Sequence, residues 1–419
     1  MQKVATIVGQ GYVGLPLAQE AAKSGWKVYG FDVSQRVVDG LNAGVSHVDD
    51  LSDSDVQEML QNGYTATASP AVLSESDVIV ICVPTPLGEA GSPDLSYIEA
   101  ASRTVGKNLS KNTIVILEST TYPGTTQEVC LPILEQESGL KVDSEIFVAF
   151  SPERVDPGRT DFGIKNTPKL VGGVTPESTK LAANFYRAFI ENVVEMSGPK
   201  EAETAKLLEN TFRHVNIALV NEMAKVCHEL DIDIWEVIRG AATKPFGYMK
   251  FTPGPGVGGH CIPIDPNYLS YEVRRNLGYP LRFVELAQEI NNSMPVYVAT
   301  RVAEQLNDRA IALKGSKVLL LGVTYKKNIA DQRESPALPL AQELARRGAE
   351  VSYIDPYVDT WNFNGHEIAS EKDWEAAIAA SDAVVLLQHH NEFDVNAISA
   401  ASSTFLDTTG TVDDVRRRL

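Results

Sequence analysis

Apolar and polar positions follow two different periods along this chain, and the change of period marks its organisation. In the first half, short β-branched runs at 3–8, 27–31, 78–83, 113–118 and 146–150 are mostly separated by longer stretches with helical spacing. Such runs predict buried strands, and strands alternating with helices predict a parallel, doubly wound sheet. From about residue 201 the period changes. Residues 202–230 keep helical spacing without a Gly or Pro, which predicts one long helix, and a second helical stretch covers about 281–307. Alternation resumes at 317–322, 350–354, 383–387 and 404–406. The predicted fold class is α/β, with two Rossmann-like doubly wound domains joined by a long central helical domain. The expected boundaries are 1–198, 199–308 and 309–419, and no short internal repeat is evident.

Composition narrows the function classes. The 419 residues suit two or three domains, and 43% hydrophobic content is ordinary for a protein with large cores. No apolar stretch approaches the roughly 20 residues a membrane-spanning helix needs. The N-terminal run predicts a strand with no small-residue cleavage site after it, so a cytoplasmic protein is expected. A net charge of −18 argues against nucleic acid as a partner, although a local basic cluster can still hold a phosphate. The four cysteines lack CxxC spacing, which suggests neither a disulfide framework nor a zinc site. Cys82, Cys130 and Cys227 sit in apolar periodic segments and are expected in the core. No metal is expected: His389-His390 lacks a third ligand and is read as surface or nucleotide-domain residues.

Two motifs carry chemistry. Gly9-Gln10-Gly11-Tyr12-Val13-Gly14 follows the first strand and opens a helix, where glycines bring backbone N–H groups to a pyrophosphate. Asp32 closes the second strand, eighteen residues after Gly14, where a carboxylate can accept from a ribose and repel a 2′-phosphate. NAD is thus the expected cofactor. Arg36 either softens that discrimination or is a solvated helix residue. Thr85 and Thr120 follow later strands, where ligands gather in open parallel sheets; read alone, each is better taken as a cap or turn residue. The second motif is the loop ending in Gly258-Gly259-His260-Cys261, with four glycines in six residues. Bare backbone of this kind lets a ligand approach closely. Alone, Cys261 fits a buried core thiol as well as a nucleophile; the flanking glycines tilt the reading to a nucleophile. Asp265 could orient a water or a lysine, while His260 is read as structural. Lys206 and Asn210 are spaced i,i+4, so they share a helix face that could stabilise an oxyanion, or could simply be solvated.

These residues resemble the UDP-glucose/GDP-mannose dehydrogenase family over nearly the whole chain. The matching elements are the 9–14 turn, Val83-Pro84-Thr85-Pro86, 119–124, Ser151-Pro152-Glu153-Arg154, Lys206 with Asn210, 258–263, and Lys326 with 331–336. The resemblance implies NAD held by Gly9, Gly11, Tyr12, Val13, Gly14, Asp32, Arg36, Thr85, Thr120 and Arg333. It implies catalysis by Cys261 through a thioester. Lys206 and Asn210 would stabilise oxygen, Asp265 and Thr120 would position water, and Glu153 would serve acid–base steps. The UDP-sugar substrate would meet Glu153, Arg154, Val155, Lys206, Asn210, Phe251, Gly258 and Lys326. A C-terminal nucleotide-sugar domain and a homodimer through the central helices are also implied. No second NAD site is expected, because Gly322-Val323-Thr324-Tyr325-Lys326 lacks the glycine pattern.

Glu118 before Ser119-Thr120, and Arg154-Val155-Asp156-Pro157-Gly158, depart from the glucose-type pattern and are similar to UDP-N-acetylhexosamine dehydrogenases. UDP-N-acetylglucosamine is favoured, with the mannosamine epimer next. Rival readings are a UDP-glucose dehydrogenase, a two-electron NAD hydroxy-acid dehydrogenase, and a non-catalytic sugar-nucleotide sensor.

Overall fold

The computed structural model describes residues 2–48, 50–86, 88, 92–155, 161–259 and 262–419. By internal packing the chain divides into two compact units. One comprises Met1–Glu209 with Asn267–Gly278, and the other Asn210–Pro266 with Tyr279–Leu419. The long helix Pro199–Glu229 therefore contributes its beginning to the first unit and its remainder to the second.

The first unit is built on strands β1 (Val4–Val8), β2 (Lys27–Phe31), β3 (Tyr64–Thr67), β4 (Val78–Ile81), β5 (Ile114–Leu117), β6 (Phe147–Phe150), β7 (Lys169–Gly173) and β8 (Val193–Glu195). They form one sheet in the order β3-β2-β1-β4-β5-β6-β7-β8, the doubly wound order with the chain reversing direction between β1 and β4. The sheet is parallel except that β6 and β7 run antiparallel. The expected strands form in place, and the central β4 and β5 are buried on both faces as a helix-covered sheet requires. Tyr64–Thr67, Lys169–Gly173 and Val193–Glu195 are additions to the expected set.

The second unit carries β9 (Lys317–Leu321), β10 (Glu350–Ile354), a hairpin of β11 (Thr360–Phe363) and β12 (His366–Ala369), β13 (Ala383–Leu386) and β14 (Phe405–Asp407). β10-β9-β13-β14 make a four-stranded parallel sheet. Helix Arg282–Asn307, which holds Pro295 in its interior, packs its buried Met294, Val298 and Val302 into the same core as β9 and β13.

Backbone geometry exposes a repeat that residue identities hide. At the end of β1, Gly9 has φ +91° and donates to Phe31 O at 2.8 Å, and Gln10 N donates to the Asp32 carboxylate at 2.9 Å. At the end of β9, Gly322 has φ +77° and donates to Ile354 O at 2.9 Å, and Val323 N donates to the Asp355 carboxylate at 2.7 Å. In each sheet a left-handed glycine turns the chain off the first strand, and an aspartate ending the second strand receives the next amide.

Candidate active site

The first glycine turn is shaped for a dinucleotide. A Cβ on Gly14 would stand 1.8 Å from Gly9 O and 3.3 Å from Cys82 Cβ, whereas one on Gly11 would meet nothing within 4 Å. Gly14 is thus bare because helix and strand touch, and Gly11 because its surface is open to approach. Helix Gly14–Lys23 starts at Val13 with no side-chain cap; Leu15 N donates to Gly11 O at 3.1 Å and Pro16 has no N–H, so an anion at this end would meet the backbone of the turn before them. The Asp32 carboxylate is fixed by Gln10 N and Ser34 N, each at 2.9 Å. Gln10, fully buried, donates to Ile7 O and accepts from Tyr64 OH at 2.8 Å each, tying the turn to β3. These features fit NAD. Arg36 is exposed and Tyr12 is partly so.

Thr85 and Thr120 follow β4 and β5 on this sheet. Thr85 is buried, its carbonyl accepting the Tyr268 hydroxyl, and Thr120 is half-buried. Ser119 Oγ donates to Val83 O at 2.7 Å and pins the two strand-end loops together. The loop after Thr120 rests on a residue the motifs did not flag. Glu203 accepts from Gly124 N at 2.6 Å, Thr126 N at 3.0 Å and Thr126 Oγ1 at 2.7 Å, and burial pushes its carboxyl up to about 7.

Glu153 follows β6. Its Oε1 accepts from Arg154 N at 2.8 Å and Val155 N at 2.5 Å. Burial opposes its ionisation, but Lys169, these amides and Lys206 outweigh burial and hold its pKa below the ordinary value. The Arg154 guanidinium is engaged by Glu209, at 2.7 and 3.2 Å, and by Pro168 O at 2.6 Å. Asp156, Pro157 and Gly158 lie outside the described residues. A cavity of about 10 Å³ between Glu153, Thr167 and Lys169 has room for about one water.

In the second unit the structure joins two of the expected site residues. Asn210 Nδ2 donates to Asp265 Oδ2 at 2.6 Å, and Asp265, 1% exposed, opens helix Asp265–Leu277. Asn210 is 8% and Lys206 7% exposed, which removes the solvated-face reading of this pair. His260 and Cys261 lie outside the described residues; the loop leading to them is well anchored. Gly254 N donates to Asn221 Oδ1 and Asn221 Nδ2 to Asn291 Oδ1, both at 2.9 Å, on two facing helices. Beside them, burial lowers the pKa of His214 to about 4, so it is neutral. Phe251 meets Phe212 edge-on at 5.8 Å.

The glycines here have a reason other than the expected one. A Cβ on Gly258 would lie 2.6 Å from Tyr325 Cβ and 3.0 Å from Glu334 O. Gly259, at φ +88°, donates to Arg333 O at 3.1 Å, and its Cβ would lie 2.8 Å from the Tyr325 ring. The 325–336 segment packs directly on the bare backbone, so these glycines serve protein packing first. In that segment Lys326 is half-buried, and Arg333 is exposed with its guanidinium forked on Asp331 at 2.5–3.0 Å.

His390 is a correction to the surface reading. It is fully buried, with Nε2 3.2 Å from Asp355 Oδ2 and Nδ1 accepting from Asn328 N at 3.0 Å. No cluster of three or more potential metal ligands occurs among the described residues, and no described helix is long and apolar enough to cross a membrane.

Comparison with known proteins agrees in all three parts of the chain. Residues 2–190 match the NAD binding domain of the UDP-glucose/GDP-mannose dehydrogenase family, 200–293 its central domain and 319–417 its UDP binding domain. The chain is 37% identical over 388 residues to UDP-N-acetyl-D-glucosamine 6-dehydrogenase of Pseudomonas aeruginosa, spanning 92% of this chain and 90% of that protein. It is 36% identical over 389 residues to UDP-N-acetyl-D-mannosamine dehydrogenase of Pyrococcus horikoshii, spanning 92% and 89%. The solved structure of the UDP-D-ManNAc dehydrogenase from Pyrococcus horikoshii superposes with a TM-score of 0.90 at 33% identity, covering 99% of both chains. With the dinucleotide turn, the doubly wound sheet and these matches in agreement, the chain belongs to the UDP-glucose/GDP-mannose dehydrogenase family and is an NAD-dependent UDP-sugar dehydrogenase.

Proposed function

We propose that this enzyme oxidises the C6 hydroxymethyl of a UDP-N-acetylhexosamine to the carboxylate in two two-electron steps, through a thioester on Cys261. The observation that carries the reading is the buried pair of Asn210, on the long helix, and Asp265, which opens the helix that starts four residues past Cys261. It gives a reacting carbonyl an amide donor and gives a water an acidic partner. NAD, when bound, accepts the hydride of each oxidation. The Cys261 thiolate adds to the C6 aldehyde left by the first oxidation, forming a thiohemiacetal whose oxidation yields the thioester. Water cleaves that thioester to the uronate and frees the thiolate. Lys206 and Asn210 hold the substrate oxygen, Thr120 and Asp265 place the water, and Glu153 exchanges protons. A covalent intermediate retains the half-oxidised sugar between the two oxidations. We further propose the 1–198, 199–308 and 309–419 division into cofactor, central and nucleotide-sugar domains.

UDP-N-acetylglucosamine is the favoured sugar, with UDP-N-acetylmannosamine next; the Glu118 and Arg154 motifs support the N-acetyl class. The test is NADH production across a panel of UDP- and GDP-sugars. The fastest turnover is expected with UDP-N-acetylglucosamine. Efficient turnover of UDP-glucose with none of the N-acetylated sugars would overturn the assignment.

We propose that a second copy of the chain covers the long helix. Leu208, Phe212, Leu219, Met223 and Val226 are 39–64% exposed along Pro199–Glu229, an apolar stretch that water disfavours. Sedimentation should show a dimer, and Met223→Glu should weaken it. A monomeric wild-type protein contradicts this.

A further inference from the structure

Behind Glu153, in the first unit, lies a cluster of buried charges that the proposed reaction does not use. Lys169 opens β7 and is 5% exposed; Glu118 follows β5 and is 1% exposed. Lys169 Nζ forms an ion pair with Glu118 and stands 3.5 Å from Glu153 Oε2. The second Glu118 oxygen, Oε2, accepts the Tyr186 hydroxyl at 2.7 Å, and Lys169 lies 5.1 Å from the Tyr186 ring centroid. One ammonium is therefore shared between two carboxylates, and one of them also has a buried phenol as donor.

An ion pair at this depth needs a reason, because two well-packed apolar residues would serve the fold as well or better. Glu118 has no opening of its own: it ends a strand buried on both faces. Glu153 is different, with a side chain 15% exposed beside the small cavity. Lys169 thus connects a closed carboxylate to one that can meet solvent or substrate. We propose that Lys169, anchored by Glu118 and Tyr186, is a positioning residue that sets the orientation and charge of Glu153. This rests on the reading of Glu153 as a proton-exchanging group in the dehydrogenase.

Among the described residues, the charged and titratable groups that act on Glu153 come from β7, the long helix and the end of β5. Lys169 on β7 and Lys206 on the long helix favour its carboxylate; Glu118 and the Cys82 thiol lie around Lys169. Burial pushes Glu118, Cys82 and Tyr186 up, while the two glutamates together hold Lys169 above its ordinary range despite burial. Arg154 is committed to Glu209. Removing Lys169 takes away the stronger of the two lysines, Lys169 and Lys206, that favour the Glu153 carboxylate. Removing the charge of Glu118 leaves the whole Lys169 charge facing Glu153. The two changes act in opposite directions.

The experiment measures the acidic limb of the kcat–pH profile for wild type, Lys169→Met, Lys169→Arg and Glu118→Gln. Lys169→Met should raise the limb by about one pH unit or more, as loss of a nearby opposite charge does. Glu118→Gln should lower it, and Lys169→Arg should keep it near wild type. If Lys169→Met alone does not fold, the Glu118→Gln/Lys169→Met double variant removes the pair together and should still raise the limb. The protonated-carboxyl band lost in Glu153→Gln is followed by infrared titration of ligand-free protein. That arm needs no turnover, so it decides the proposal even if every UDP-sugar proves inactive. Limbs and titrations that stay at the wild-type pH, or that move in the same direction in Lys169→Met and Glu118→Gln, overturn it.

Discussion

Cys261→Ser is expected to stop uronate formation, with a loss on the order of a thousandfold or more, while NAD and UDP-sugar binding change little. A serine hydroxyl is far less acidic than a thiol and is a poor nucleophile at neutral pH without a dedicated base. His260 is not expected to serve as that base, since side chains of sequence neighbours generally diverge. The substitution is nearly isosteric, so the loop should hold. Its anchors are Asn221 at Gly254 and the Arg333 carbonyl at Gly259, neither of which involves the thiol. Binding would be followed by calorimetry and acid by chromatography. Normal acid production by this variant removes the covalent step.

The second large effect concerns the dinucleotide turn, where two glycines should fail in different ways. Gly14→Ala should abolish NAD binding and lower the melting temperature, because its Cβ would drive into Gly9 O at 1.8 Å. Overpacking of this kind costs about 1–3 kcal/mol, and here the obstacle is backbone, which cannot rotate aside. Gly11→Ala should leave the melting temperature unchanged, since nothing lies within 4 Å of its Cβ. It should nonetheless weaken NAD by about tenfold or more, about 1.4 kcal/mol, by blocking approach to the backbone. The pair separates folding from ligand contact. Equal NAD affinity in wild type and Gly11→Ala would count against the pyrophosphate being cradled there.

The pattern of apolar runs made most of the architecture legible. The runs at 27–31 and 350–354 are strands at those bounds, and the 202–230 stretch predicted as one helix lies, apart from its last residue, within the helix Pro199–Glu229. Tyr64–Thr67 escaped because two threonines and an alanine carry little apolar signal. β7 escaped because its first residue is a lysine and its last two are glycines. The repeat between the two sheets was illegible for a different reason. It resides in a positive φ and an amide-to-aspartate bond, and the residues between Gly322 and Asp355 share no spacing pattern with the 9–14 turn.

At the site, the sequence singled out Asn210 and Asp265 separately, but only packing could pair residues 55 apart. Glu118 stood out as a branch marker, and its place after a fully apolar strand was itself a clue that a cation must be near. Which cation could not be read, because Lys169 lies 51 residues on in an unrecognised strand. Glu203 looked like any helix glutamate until its carboxylate met the amides of Gly124 and Thr126. The glycine loop taught the opposite lesson. Its bareness was visible, but its cause, contact with Tyr325 and Glu334, belongs to residues far along the chain.

The thioester route requires four electrons to leave each sugar before the acid is released. The most direct measurement is the ratio of NADH formed to UDP-N-acetylhexosamine consumed, taken to completion with excess NAD. Two NADH per sugar, with the uronate as product, is the predicted result. One NADH per sugar, with an aldehyde or ketone released, would contradict it.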